Sequence, residues 1–326
     1  MKKSIKRLLL IGAMLLVSVG TLSACGNSGL SKGSDSDSAK VTKKSPKQLK
    51  VGVSISTLSN PAFIVLKDKV EAYAKDHGTT VQITDAQNDT AKQNNDMEDF
   101  IQKKVDAIIV NPCDSAAIAT EVKAANDANI PVVCIDRSSD SGKVLSTVAT
   151  DSVAGGKMAA KYLVDTVGKN AKVAEITGIP GASATRERGE GFDGYAKGKL
   201  DIVTKQTAGF DRAKALTVAE NIIQAHPDIK AIFAQNDEMA VGASKAVAAS
   251  AHKDIKVIGF DGAEAYLKMI KAGTGQATIA QSWDKMGTMS LDAIYNHFQG
   301  KKVQKNVQPP ITLTTKDNVD KVIANN

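Results

Sequence analysis

The chain has 326 residues, 42% apolar and 24% charged, with 25 glycines. That balance excludes a wholly disordered or collagen-like chain and suffices for one large or two ordinary globular domains. The formal charge of +7 is unevenly placed, with +4 on residues 1–24 and +3 on residues 25–48, so the body from Leu49 onward is neutral in sum and a nucleic-acid role loses its main support.

Taken in chain order, Lys2, Lys3, Lys6 and Arg7 precede an apolar run from Leu8 to Val19, and small residues lead on to Cys25. The run is shorter than the ~20 apolar residues that span a bilayer, which predicts an export signal over residues 1–24. Leu22-Ser23-Ala24-Cys25 resembles the lipobox of bacterial lipoproteins, in which the Cys thiol is diacylated and the chain is cut just before it. Acyl chains bury ~0.8 kcal/mol per CH2 and can hold a protein at a membrane surface. Gly26 to Lys47 is Ser, Lys, Asp and Gly with almost nothing apolar, so residues 25–48 are expected to be a lipidated cysteine and a flexible, solvated tether.

The body alternates short β-rich runs with helical periodicity. Strand patterns fall at Lys50 to Ile55, Thr80 to Thr84, Asp106 to Val110, Pro131 to Ile135 and Val144 to Thr150, with helices at Pro61 to His77, Lys92 to Lys104 and Ala116 to Ala128. A second series follows, with strands at Lys172 to Ile176, Asp201 to Thr207, Ala231 to Ala234, Ile255 to Phe260 and Gln276 to Ala280. Its clearest helices are Ser183 to Lys199, Arg212 to Ala225 and Asp237 to Ala249. Such a succession implies parallel sheets covered by helices on both faces, and about a dozen strands imply two α/β domains rather than one. Cys113 and Cys134 stand 21 positions apart, which fits no zinc pattern; near the ends of successive strands they could pair as a disulfide in an oxidising exterior, and two free, partly buried thiols are the favoured expectation.

Ligands of open α/β sheets bind beyond the carboxyl ends of the strands. The residues there are Asn111, Asp136 with Arg137, Asn236, Asp261 and Gln281. Any one of them could be a helix cap or turn former. As a set, amides, carboxylates and a guanidinium suit a neutral polyol better than a phosphate, which would call for net positive charge or a Gly-rich cradle.

From Leu49 to the C-terminus the chain resembles the bacterial ribose-binding proteins, substrate-binding subunits of sugar ABC importers with a periplasmic-binding-protein type I fold. The resemblance is carried in order by Ser56-Thr57-Leu58-Ser59-Asn60-Pro61, Asn111-Pro112-Cys113-Asp114-Ser115, Ile135-Asp136-Arg137, Arg186-Glu187-Arg188-Gly189-Glu190-Gly191-Phe192, Gly209-Phe210-Asp211-Arg212, Gln235-Asn236-Asp237-Glu238-Met239, Gly259-Phe260-Asp261-Gly262 and Ala277-Thr278-Ile279-Ala280-Gln281. It implies two doubly wound parallel-sheet domains joined by a hinge, one from residues 49–150 plus 282–310 and the other from 151–281 plus 311–326. It places sugar contacts on Asn60, Phe63, Asn111, Asp136, Arg137, Arg186, Phe210, Asn236, Asp261 and Gln281, with Phe63 and Phe210 sandwiching the ring. Of the two arginines in the TRERGEGF run, Arg186 is the one assigned to the sugar. The chain departs from the pattern at Ala62, where the family usually has a second Phe, at Cys113 in place of Thr, and at Trp283 in place of Pro.

The implied role is an extracytoplasmic, lipid-anchored monomer that captures a monosaccharide and delivers it to an ABC permease with its ATPase subunit, without cofactor or metal. Ribose leads, with another pentose, a hexose such as allose, or a furanose-like signalling molecule as alternatives. An enzyme reading would use Asp136 and Asp261 as a glycosidase pair. However, both match ligand positions, none of His77, His226, His252 and His297 sits at an apparent strand end, and no P-loop, GxGxxG or nucleophile elbow is present. A sugar-responsive repressor would need a helix-turn-helix where this chain has its leader and tether.

Overall fold

The computed structural model describes residues 42–325. The expected export signal, Cys25 and the tether up to residue 41 lie outside the described residues. The last stretch of the expected tether is not a free spacer. Lys44 donates its backbone N–H to Phe298 O at 3.1 Å and pairs with Asp106, and a short 3-10 turn at Pro46–Gln48 leads directly into the first strand.

That strand, β1 (Lys50–Ile55), is buried at every position but the first, as a run covered on both faces must be. It is followed by α1 (Pro61–His77), β2 (Thr80–Asp85), α2 (Thr90–Gln102), β3 (Ala107–Val110), α3 (Ala119–Asp127), β4 (Val132–Ile135) and β5 (Val144–Val148). The chain then passes into α4 (Ser152–Val167), β6 (Ala171–Thr177), α5 (Ser183–Ala196), β7 (Leu200–Thr207), α6 (Arg212–Ala225), β8 (Ala231–Ala234), α7 (Asp237–Ala249), β9 (Lys256–Asp261), α8 (Glu264–Ala272) and β10 (Ala277–Gln281). It ends with α9 (Trp283–Phe298), β11 (Asn306–Val307), β12 (Ile311–Thr315) and α10 (Val319–Asn325).

The strands form two six-stranded sheets, ordered β11-β5-β4-β3-β1-β2 and β12-β10-β9-β8-β6-β7. The second half repeats the winding of the first, as the sequence predicts, and in each sheet the order reverses beside the first strand of the half. Pairing is parallel except for β12, which runs antiparallel to β10 with Ile311 opposite Gln281. Neither β11 nor β12 is expected from the sequence. The first is two residues long, and the second has no continuous apolar run, with Thr312 exposed and Thr314 buried.

Each sheet separates two apolar layers. In the N-terminal domain, α1 and α9 cover one face with Leu66, Val70, Leu291 and Ile294, while α2 and α3 cover the other with Met97, Phe100 and Val122. In the C-terminal domain, α4 and α5 lie on one face and α6, α7 and α8 on the other. The α4–α5 contact is backbone-close: a Cβ on Gly156 would lie 2.1 Å from Arg188 O, and one on Gly191 would lie 1.9 Å from Val153 O. Two glycines therefore fix how deeply α5 sits and where it delivers its buried side chains.

Candidate functional site

The carboxyl ends of both sheets face one another and their loops build a narrow cavity. It is lined by Asn60, Phe63, Asp136 and Arg137 from the N-terminal domain and by Ala184, Arg188, Phe210, Asn236 and Asp261 from the C-terminal domain. Asn60 ends the loop after β1 and caps α1, its side-chain oxygen accepting from Ala62 N at 3.0 Å. Its side chain also hydrogen-bonds the Asp261 carboxyl of the opposite domain. Asp136 follows β4 at φ 63°, a left-handed turn that sets Arg137 into the cleft. Arg137 donates from Nη1 to Pro112 O at 2.9 Å, and its guanidinium lies over Phe63 at 5.5 Å and over Phe210 at 5.2 Å from the ring centroids. The two rings expected to sandwich a ligand thus both reach the cavity, and a cation touches each of them.

On the opposite wall, Arg188 stacks 3.8 Å over Phe260, donates to Gln235 O and reaches Asp261 Oδ1 at 3.5 Å. Asn236 caps α7 through its oxygen, which accepts from Met239 N at 2.9 Å. Asp261 is held by Gln281, whose Nε2 donates to its Oδ1 at 3.0 Å, and by Trp283, whose indole N–H donates to its carbonyl at 2.9 Å. Burial raises the Asp261 carboxyl to about 7 despite the opposing charge of Arg188. Burial also lowers Arg137 from the ordinary guanidinium value, against the pull of Asp136.

Asn111 and Gln281 stand behind the wall. Asn111 donates to Ile135 O at 3.1 Å and to Asp136 Oδ2 at 3.3 Å, and Gln281 accepts from Thr150 Oγ1 at 2.6 Å while holding Asp261. They orient carboxylates that line the cavity. Arg186, unlike these two, has no part in the wall at all. It points away, exposed, with Nη2 on Asp140 Oδ1 at 2.7 Å, and Arg188 occupies the place expected for it. The reason is helical geometry: residues two apart on α5 lie on nearly opposite faces, and Arg188 shares the buried stripe of Ala184, Gly191 and Phe192. That stripe leaves a hint in the sequence, as small and apolar residues at helical spacing, but the α4 contacts at Gly156 and Gly191 are what set the phase of the two arginines.

The wall at Ala62 is also accounted for. Ala62 is buried, and Trp283, the first residue of α9, packs edge-to-face on Phe63 with ring centroids 5.6 Å apart. Cys113 and Cys134 are free and buried, and burial raises both thiols, to about 11 and about 12.

Two carboxylates and two guanidinium groups face the cavity, so its formal charge cancels. Asp136 Oδ1, Arg137 Nε, Arg188 Nε and Asn236 Nδ2 are buried without a hydrogen-bond partner in the protein. Buried polar atoms of this kind call for partners. One acceptor and three donors, drawn from both domains beside two aromatic rings, match a small neutral molecule with several hydroxyls and apolar C–H faces. A second depression, between the ends of α6 and α7, is lined by Ile223, Pro227, Ala246 and His252 among others and gathers no comparable set of charged groups. Among the described residues no group of His, Cys, Asp or Glu could hold a metal ion, and no helix is long and apolar enough to cross a membrane.

The periplasmic binding protein domain matches residues 51–302. The chain belongs to this family. Within it, the chain is 53% identical over 269 residues to the ribose import binding protein RbsB of Bacillus subtilis, covering 82% of this chain and 88% of that protein. It is 41% identical to the Escherichia coli protein of the same name, covering 82% and 90%. Among solved structures of the family, the Caulobacter myo-inositol binding protein bound to myo-inositol superposes with a TM-score of 0.81 at 34% identity, covering 88% of this chain and 99% of that one. An Actinobacillus succinogenes solute-binding protein with bound D-allose gives 0.78 at 30% identity, covering 84% and 100%.

Proposed function

We propose that the chain is the ligand-capturing component of a sugar ABC importer, holding D-ribose between its two domains and delivering it to a permease driven by an ATPase subunit. The observation that carries the reading is the charge-cancelled, incompletely paired set of Asp136, Arg137, Arg188, Asn236 and Asp261, drawn from both domains around Phe63 and Phe210. The two ribose import binding proteins among its relatives support the choice of sugar. In this reading Asn60, Phe63, Asp136, Arg137, Arg188, Phe210, Asn236 and Asp261 touch the sugar, and Asn111 and Gln281 hold the carboxylates. In this reading the chain binds its sugar without turning it over, with Asp136 and Asp261 as hydrogen-bond acceptors that each have an arginine guanidinium within 3.6 Å. It works outside the cytoplasm as a monomer, anchored through a lipid on Cys25. A hexose such as D-allose is the second reading, supported by the solved relative that holds D-allose.

Calorimetry of the purified protein with D-ribose, D-allose, L-arabinose and myo-inositol tests this. Ribose should bind most tightly, and Arg188→Ala should weaken it by at least tens-fold, since loss of one buried charge-assisted partner costs roughly 2–5 kcal/mol. Tight binding of another sugar with no heat from ribose would replace ribose.

A further inference from the structure

Arg186 is the conspicuous residue of the TRERGEGF run that the cavity does not use. Its Nη1 donates to Gly181 O at 3.0 Å within its own loop, and its Nη2 donates to Asp140 Oδ1 at 2.7 Å. Asp140 lies in the loop after β4 of the N-terminal domain, whereas α5 belongs to the C-terminal domain, so the ion pair spans the two. Three further hydrogen bonds cross beside it. Ser115 N donates to Gly181 O at 3.0 Å, Ser183 N to Ser115 Oγ at 3.1 Å, and Ser138 N to Ser183 Oγ at 2.9 Å. Asp140 is joined to this seam from its own side, its N–H donating to Ser115 O at 2.8 Å.

The approach is close enough to dictate sequence. Gly181 does not have a left-handed φ, yet a Cβ there would lie 1.8 Å from Asp114 Oδ2 of the other domain. A side chain there would have to displace the Asp114 carboxylate, so the facing domain and not its own backbone favours glycine. The seam leaves from the ends of β3, β4 and β6, none of which carries a chain crossing, so it exists only while the domains are together. None of Arg186, Asp140, Ser115, Ser138, Gly181 and Ser183 lines the cavity.

We infer that Arg186 and Asp140 are a positioning pair, which raises ligand affinity by holding the domains closed and never touches the ligand. The inference rests on the reading of the cavity as a two-domain ligand site. Apparent affinity scales with the fraction of molecules in the competent state, so a contact made only on closure tightens every ligand by the same factor. A residue in contact with the sugar would instead change the order of preference among sugars.

The test is calorimetry of wild type, Arg186→Ala, Asp140→Ala, the double alanine variant and the charge reversal Arg186→Asp/Asp140→Arg, against the four sugars above at low and high salt. Each single alanine variant should weaken every sugar that binds by about two- to five-fold, the range of an exposed ion pair. The double variant should be no weaker than either single one, the reversal should restore affinity, and high salt should shrink the difference from wild type. A loss near a hundred-fold, or an altered order of sugars, would make Arg186 a ligand contact and overturn the inference; so would two additive losses or a reversal without rescue. A wild type that ignores ribose but binds another of these sugars ends the ribose reading and leaves the pair measurable with that sugar. If none binds, a dye pair on the two domains decides: a lower closed fraction in Arg186→Ala than in wild type supports the pair, and equal fractions overturn it.

Discussion

Asp261 combines two conditions that the rest of the cavity must sustain. Its backbone sits at φ 127°, a conformation side chains rarely adopt, and its carboxyl is fully enclosed. The turn is held from two sides: Ala263 N donates to Asp237 Oδ2 at 2.7 Å beneath it, and the Trp283 indole holds the Asp261 carbonyl. Facing the carboxyl are Arg188, Asp136, Gln281 and Asn60, and its value is raised to about 7. A carboxyl raised on folding binds its proton more tightly in the folded than in the unfolded chain. Its contribution to stability is therefore complete below about pH 4 and is lost as pH rises through about 7. Glu175, Glu187 and Asp237 are raised by burial in the same sense, so the comparison has to be with a variant. The stability of sugar-free wild type minus that of Asp261→Asn should fall between about pH 4 and pH 7 and level off above, measured by chemical denaturation at a series of pH values. A difference independent of pH would contradict the assignment.

At the scale of elements, the strands before the cavity are legible because they are continuous apolar runs that stop at a polar residue, as at Ala107–Val110 before Asn111 and Ala231–Ala234 before Gln235 and Asn236. Two things were not legible. Which arginine of α5 faces inward depends on the helical phase set by the Gly156 and Gly191 contacts with α4, a tertiary fact only hinted at by the small-residue stripe. What fills the wall around Phe63, next to Ala62, depends on α9, more than two hundred residues later, because α1 and α9 pack on the same sheet face and bring Trp283 onto Phe63. The second point has a measurable consequence. A phenylalanine at 62 would enter a wall that already holds Phe63 and Trp283, and overpacking costs about 1–3 kcal/mol. Ala62→Phe should lower stability by that amount and weaken sugar binding, while Ala62→Phe combined with Trp283→Ala should recover part of both. If Ala62→Phe alone tightened ribose binding at unchanged melting temperature, there would be free space beside Phe63 and Trp283 would not be its cover.

For the whole molecule, the decisive fact is how little of the cavity is reachable. Asp136, Arg137, Arg188 and Asp261 are each 5% exposed or less, so a sugar can reach them only if the domains part. The chain crosses between domains after β5, after β10 and between β11 and β12. These crossings are tied side by side, with Thr150 Oγ1 donating to Gln281 Oε1 at 2.6 Å and Ser282 Oγ to Pro310 O at 3.0 Å, which makes them one hinge rather than three independent linkers. Near the cavity the domains are also joined by polar and cation–π contacts: the Arg186–Asp140 seam, Asn60 on Asp261, and Arg137 over Phe210. Such contacts can be broken and remade on opening, whereas each domain's own apolar layers stay intact. A ligand that pairs with Asp136 and Arg137 on one side and with Arg188 and Asp261 on the other gains both sets only on closure, and that differential is what shifts the population. Small-angle scattering should therefore show a smaller radius of gyration with saturating sugar than without. Trp283, at one crossing and bonded across to Asp261, should change its emission over the same titration. Superimposable scattering curves with and without a bound sugar would require a route into the cavity other than the hinge, and the burial of its four charged residues leaves none that a rigid molecule could offer.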